Sequence, residues 1–208
     1  YYLDTVSIDT NWNDFYILNP IYKNSVSNAS QGHIASPAMS HNFFKRTEGD
    51  YFFLDPFKAY LKENQNITYY NTRRPFTDLA YSTSTGDREK LEQTIRVIHT
   101  QNVNPNLNIG MDYELFSDRG QYPYKNGKAV ATTLFSSYIN PVYRYHANVN
   151  FNNLGPYKDN GGLFLDDDLN GEELEEDFLN VNLEEAKKKK KNQGAFLSQE
   201  VRLGKALA

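Results

Sequence analysis

Cysteine is absent from the 208 residues, which excludes disulfides, thiolate metal sites and cysteine nucleophiles and leaves the redox compartment open. No apolar run approaches the roughly 18 residues that a membrane helix needs. Positive charge is not in excess. The 22 Lys and Arg stand against 26 Asp and Glu, a net charge of -4, so no overall field draws nucleic acid and no nucleic-acid partner is expected. There is no Gly-rich phosphate loop and no serine elbow. The four histidines, His33, His41, His99 and His146, lack metal-ligand spacing. The reading is therefore of a protein that is not an enzyme, with no cofactor, no metal and no catalytic residue. Tyr1 stands first with no charged-then-apolar leader behind it, as a removed signal peptide would leave the chain.

What is present is aromatic and strand-forming. Sixteen Tyr and 13 Phe, with abundant Asn, suit strands that have one greasy and one wet face, and argue against disorder. Residues 1–65 read as an irregular N-terminal segment with one or two short strands. Asn19-Pro20 and Ser36-Pro37 mark turns, Pro56 stops a short apolar piece, and Phe57 to Glu63 reads as a helical turn.

From residue 66 the pattern changes to β. Asn66–Thr72, Phe76–Ser82 and Leu91–Gln101 are β-rich, although Ile98 breaks the alternation of the third. Residues 107–115 alternate cleanly: Leu107, Ile109, Met111, Tyr113 and Leu115 point one way, and Asn108, Gly110, Asp112 and Glu114 the other. Residues 143–152 repeat this, with Tyr143, Tyr145, Ala147, Val149 and Phe151 against Arg144, His146, Asn148, Asn150 and Asn152. Ala129–Ile139 and Ala195–Gly204 complete seven strands. Asp112 and Glu114 share a face and could form an acid/base pair, but lining a polar interior suits them better.

The connections alternate in length: Asn102–Asn106 short, Ser117–Lys128 longer, Asn140–Val142 short, Asn153–Gly194 very long. An all-β, antiparallel up-and-down transmembrane barrel has this asymmetry, and its tilted strands need about 9–11 residues to cross a bilayer. Soluble sandwiches and barrels also alternate apolar and polar positions, so periodicity alone leaves both classes open. In the membrane reading the candidate lipid-facing residues are Leu107, Ile109, Met111, Tyr113, Tyr145, Ala147 and Val149. The candidate lumen-facing residues are Asn108, Asp112, Glu114, Arg144, His146, Asn148 and Asn150.

Inside the long connection, Asp166, Asp168, Asn170, Gly171, Glu172 and Asp177 fall at EF-hand-like spacing. Asp at the last position, Glu173 at an apolar position and Gly161-Gly162 ahead of it favour a solvated acidic loop instead. Lys187 to Lys191 follow Glu184 and Glu185 and read as solvated, with a short helix over 182–190 that the helix dipole would favour.

Several stretches resemble the putative porin family of the Bacteroidetes outer membrane. Asn71-Thr72-Arg73-Arg74-Pro75-Phe76-Thr77-Asp78-Leu79 and His99-Thr100-Gln101-Asn102 are the most specific. Gly32-His33-Ile34-Ala35-Ser36-Pro37, Val181-Asn182-Leu183-Glu184-Glu185-Ala186 and Phe196-Leu197-Ser198-Gln199-Glu200 lie in the same order. The resemblance implies a Gram-negative outer-membrane barrel made after signal-peptide cleavage, passing small solutes by passive diffusion. Members are much longer and barrels usually have an even strand number, so this chain is expected to be the N-terminal part of a larger barrel, spanning residues 66–208, with a long extracellular loop at 153–194. Its partners would be outer-membrane lipid and other outer-membrane proteins of an assembly or export complex. The alternatives are a structural or interaction barrel of that membrane, and a soluble secreted β module that binds glycans or partners.

Overall fold

The computed structural model describes residues 19–30, 34–46, 53–84, 91–119, 125–159 and 186–203. The first described element is a short helix α1, Pro20–Asn24, with proline in its first turn and the Asn19 side chain accepting from the Ile21 amide at 3.2 Å. Strands β1 (Asn28–Ser30) and β2 (Ala38–Ser40) then form a small antiparallel pair. Three 3-10 turns follow at Phe43–Lys45, Asp55–Tyr60 and Asn64–Asn66. The expected helical turn near Phe57 is thus present as a 3-10 turn, entered through Asp55-Pro56.

Most of the remaining described residues form one sheet of six antiparallel strands in sequence order: β3 (Phe76–Thr83), β4 (Glu92–Asn104), β5 (Leu107–Asp118), β6 (Lys125–Ile139), β7 (Tyr143–Asp159) and β8 (Lys188–Val201). The sheet is open, with β3 and β8 at its edges, as a partial barrel would be. The meander puts the tight β4–β5 and β6–β7 turns at one end. The β3–β4, β5–β6 and β7–β8 connections lie at the other.

Several expected boundaries are corrected. Asn66–Thr72 is not a strand, so among the described residues six strands rather than seven follow residue 66. The β-rich composition of that stretch serves a different purpose, described below. Strand β7 runs on to Asp159 and β8 begins at Lys188, so the long connection is 160–187 rather than 153–194. Lys188 to Lys191 are therefore in a strand, and the expected helix to residue 190 is overturned at that end. Register pairing explains it: Lys190 and Lys191 stand opposite Leu154 and Asn153, and ladder bonding overrides the local preference of a lysine run. The acidic stretch 166–177 lies outside the described residues.

The core forms where the N-terminal segment meets the sheet. Ile21, Ile34, Ala35, Phe57 and Tyr60 pack against Phe116, Ala129 and Leu154, which stand side by side on β5, β6 and β7. The Tyr60 and Phe116 rings meet edge to face at 5.4 Å. Each large side chain buried here contributes about 1.5–3 kcal/mol, and all lie toward the long-connection end.

Candidate functional site

The two faces of the sheet differ in chemistry, as the alternation of β5 and β7 requires. One face carries Asn108, Asp112 and Glu114 from β5, and Arg144, His146, Asn148 and Asn150 from β7. Strand β6 aligns them: Asn108, Ser137 and His146 form one row, and Asp112, Thr133 and Asn150 another. All seven candidate lumen residues share this one face of the sheet. Asn108, Glu114, His146, Asn148 and Asn150 are buried, Asp112 is half-buried and Arg144 is exposed.

Burial of so many amides requires partners, and these come from two sources. Within the sheet, Thr133 donates to Asn150 Oδ1 at 2.7 Å, Thr100 donates to Asn108 Oδ1 at 2.9 Å, and Asn108 Nδ2 donates to Asn102 Oδ1 at 2.7 Å. The second source is the N-terminal segment itself, which crosses this face from the long-connection end to the tight-turn end. Asn152 clamps the main chain of Lys62, its Oδ1 accepting from Lys62 N at 3.0 Å and its Nδ2 donating to Lys62 O at 2.9 Å. A carboxamide offers the same donor and acceptor as a peptide unit, so Asn152 does what an opposing strand residue would.

Further along, Asn148 Nδ2 donates to Asn64 O and to Tyr69 Oη, and Asn150 Nδ2 donates to Asn64 Oδ1 at 2.6 Å. Tyr69 stands edge-on to Phe135 and His146. Near the tight turns, Thr72 N donates to Asn102 Oδ1 at 3.1 Å and Asn102 Nδ2 donates to Asn71 Oδ1 at 2.8 Å. Tyr69, Asn71 and Thr72 are therefore hydrogen-bonded to side chains on the polar face instead of to a strand edge.

One ion cluster anchors the crossing. Lys62 Nζ lies 3.0 Å from Asp112 and 2.9 Å from Glu114, and Arg96 Nε donates to the same Glu114 oxygen at 2.9 Å. All of these groups except Arg96 are less than a quarter exposed, so the attraction is weakly screened. Higher up, Lys190 Nζ donates to the Phe53 carbonyl at 3.0 Å and sits 3.9 Å from the Phe57 ring centre. Two glycines make room. A Cβ on Gly110 would overlap the Phe135 ring and lie 2.8 Å from the His99 carbonyl, and one on Gly194 would meet the Asn64 amide at 2.8 Å.

Sequence reading did not identify Lys62, Asn64, Tyr69, Arg96 or Asn102 as site residues. Asn152 could have been included, because it continues the alternation of β7. Lys62 carries no local signal.

The opposite face holds every candidate lipid residue. Met111, Leu134, Val149 and Ala195 form a row across four strands, and Ile109, Ser136, Ala147 and Leu197 the next. Leu79, Tyr81, Ile109, Met111, Leu134, Val149, Phe151 and Leu197 are all exposed on it. Toward the tight turns the apolar rows end in tyrosines. Tyr138 stacks on Tyr145 at 5.9 Å, and both contact Tyr143. Toward the other end the face turns polar at Ser117 and Lys128. Thr77 and His99 interrupt it, bonded to each other at 2.7 Å.

Among the described residues, no group of three or more His, Asp or Glu side chains is arranged to hold a metal ion, and no helix is long and apolar enough to cross a membrane. A family model described as putative porin matches residues 2–207. No curated protein and no solved structure matches the chain.

Proposed function

This chain belongs to the putative porin family, whose name points to an outer-membrane, porin-like role, and from that premise we propose that it is part of a Gram-negative outer-membrane β-barrel passing small solutes by passive diffusion. The single observation that carries this reading is the two-faced sheet. In a soluble sandwich the apolar face would be covered and the polar face wet. Here the described N-terminal elements cover the polar face, and the apolar one is left exposed across its strands. A contiguous exposed apolar face marks contact with lipid or with a partner, and tyrosines at its edge suit the interface belt of a barrel. In this reading Leu107, Ile109, Met111, Tyr113, Tyr145, Ala147 and Val149 face lipid, and the polar face looks into the lumen. The tight turns lie in the periplasm and the 160–187 connection outside the cell.

Reconstitution of the full-length protein into planar bilayers tests it. Discrete conductance steps, with detergent needed for extraction, are expected. A protein that stays soluble without detergent would refute the membrane reading. A membrane-embedded protein that never conducts would refute the porin role and leave the structural or interaction barrel.

A further inference from the structure

We infer that residues 53–72 are a resident plug of the barrel, latched to its inner wall at Lys62, and that release of this latch opens the solute path. The inference rests on the porin reading and names the element that regulates it. Four observations carry it. The segment runs along the polar face from the core at Phe57 and Tyr60 to Asn71 and Thr72 beside the tight turns, so it occupies the face from end to end.

It is held chiefly by side chains of the wall rather than by a strand ladder. Asn152, Asn150, Asn148 and Asn102 each bond the segment, and no strand of the six-stranded sheet pairs with it. Such bonds can be exchanged for water one at a time without breaking the sheet. Its only ion pairs to the wall among the described residues join Lys62 to Asp112 and Glu114, midway along the crossing. Finally, Asp112 Oδ1 is buried without a hydrogen-bond partner, so the seat is not fully satisfied while the segment is docked. Beyond Leu61 no residue of the segment belongs to the core cluster, and a stretch tied mainly by polar bonds belongs to the low-stability end of a fold.

The chain's lack of cysteine makes a clean test possible. A Cβ built on Gly194 lies 3.3 Å from Asn64 Cγ, close to the roughly 3 Å between one residue's Cβ and the other's sulfur in a disulfide. The pair Asn64→Cys and Gly194→Cys should therefore lock the segment to β8. Single-channel conductance is measured for the full-length protein, for Lys62→Glu, and for the triple variant carrying Lys62→Glu with both cysteines. Each is verified as folded by heat-modifiable gel mobility. Lys62→Gln serves if Lys62→Glu fails to fold.

Open probability should rise about tenfold or more on loss of the latch, since Asp112 then loses its cation and Glu114 one of its two. The oxidised triple variant should be closed, and a reductant added to the same bilayer should open it. If the wild type, the Lys62 variants and the oxidised and reduced triple variant all conduct alike, with the disulfide verified by mass, the plug is overturned and the porin reading stands. If every variant is folded and silent in both redox states, both fall.

Discussion

Placing one arginine at the centre of the apolar face separates the membrane reading from a soluble one. Val149 is the residue to change. It lies in the row Met111, Leu134, Val149, Ala195 and is 39% exposed. The tyrosine cluster at Tyr143 marks one edge of the apolar zone, and Val149 is 149 − 143 = 6 residues further along β7. At about 3.3 Å per residue that is about 20 Å of strand, or about 15 Å along the membrane normal for a tilt of roughly 40°. Fifteen ångströms is half of a hydrocarbon core of about 30 Å, so Val149 falls at the midplane. Val149→Arg should then cost about 2–4 kcal/mol, against about 0–1 kcal/mol for Val142→Arg in the exposed tight turn. Reversible urea unfolding of the full-length protein in phospholipid vesicles measures both. Surface substitutions in water usually stay within about 0.5 kcal/mol. If Val149→Arg came within that margin of Val142→Arg, this face would not lie in lipid.

Three further outcomes are expected. Gly110→Ala should destabilise by about 1–3 kcal/mol in the same assay, because its Cβ overlaps Phe135 and the His99 carbonyl cannot swing away; a neutral result would mean that the ring does not sit over Gly110. Burial raises the Tyr60 phenol well above its ordinary value, so the stability it contributes is present below about pH 10 and lost as pH rises beyond, the unfolded chain ionising first. Tyr60→Phe should lose the bond to Asn19 at neutral pH yet show a smaller alkaline drop in urea midpoint, and an equal drop in both proteins would refute this. A peptide tag inserted after Gly171, within the 160–187 connection, should be labelled on intact cells, and labelling only after permeabilisation would reverse the proposed orientation.

The parts of the sheet that could be read from sequence are those where the information is local. In β5 and β7 each residue's side is set by its parity, so the seven polar and the seven apolar candidates stand on opposite faces of the sheet. Tight turns carry their own signals: Asn104 Oδ1 accepts from the Asn106 and Leu107 amides, and Asn140 Oδ1 from Val142. Strand ends were less legible, because pairing decides them. Lys188 to Lys191 join β8 through their partners on β7, which are more than thirty residues away in sequence.

What parity cannot report is the occupant of a face. The alternation Asn148, Asn150, Asn152 is the same whether the amides meet water in an open lumen or the main chain of Lys62 and Asn64. The decisive partners, Lys62 and Asn64, lie more than eighty residues upstream, just ahead of the β-rich stretch and in a segment with no periodicity of its own. Energetics favour the second arrangement. Amides buried on the face need partners, each left without one costing about 1–3 kcal/mol, and an extended segment rich in Asn and Tyr supplies them. The carboxylates of Asp112 and Glu114 add a requirement for a cation, which Lys62 and Arg96 meet. A wall lined with Asn thus serves as a seat for backbone as readily as a lining for water, and which of the two it does depends on whether Lys62 stays between its carboxylates.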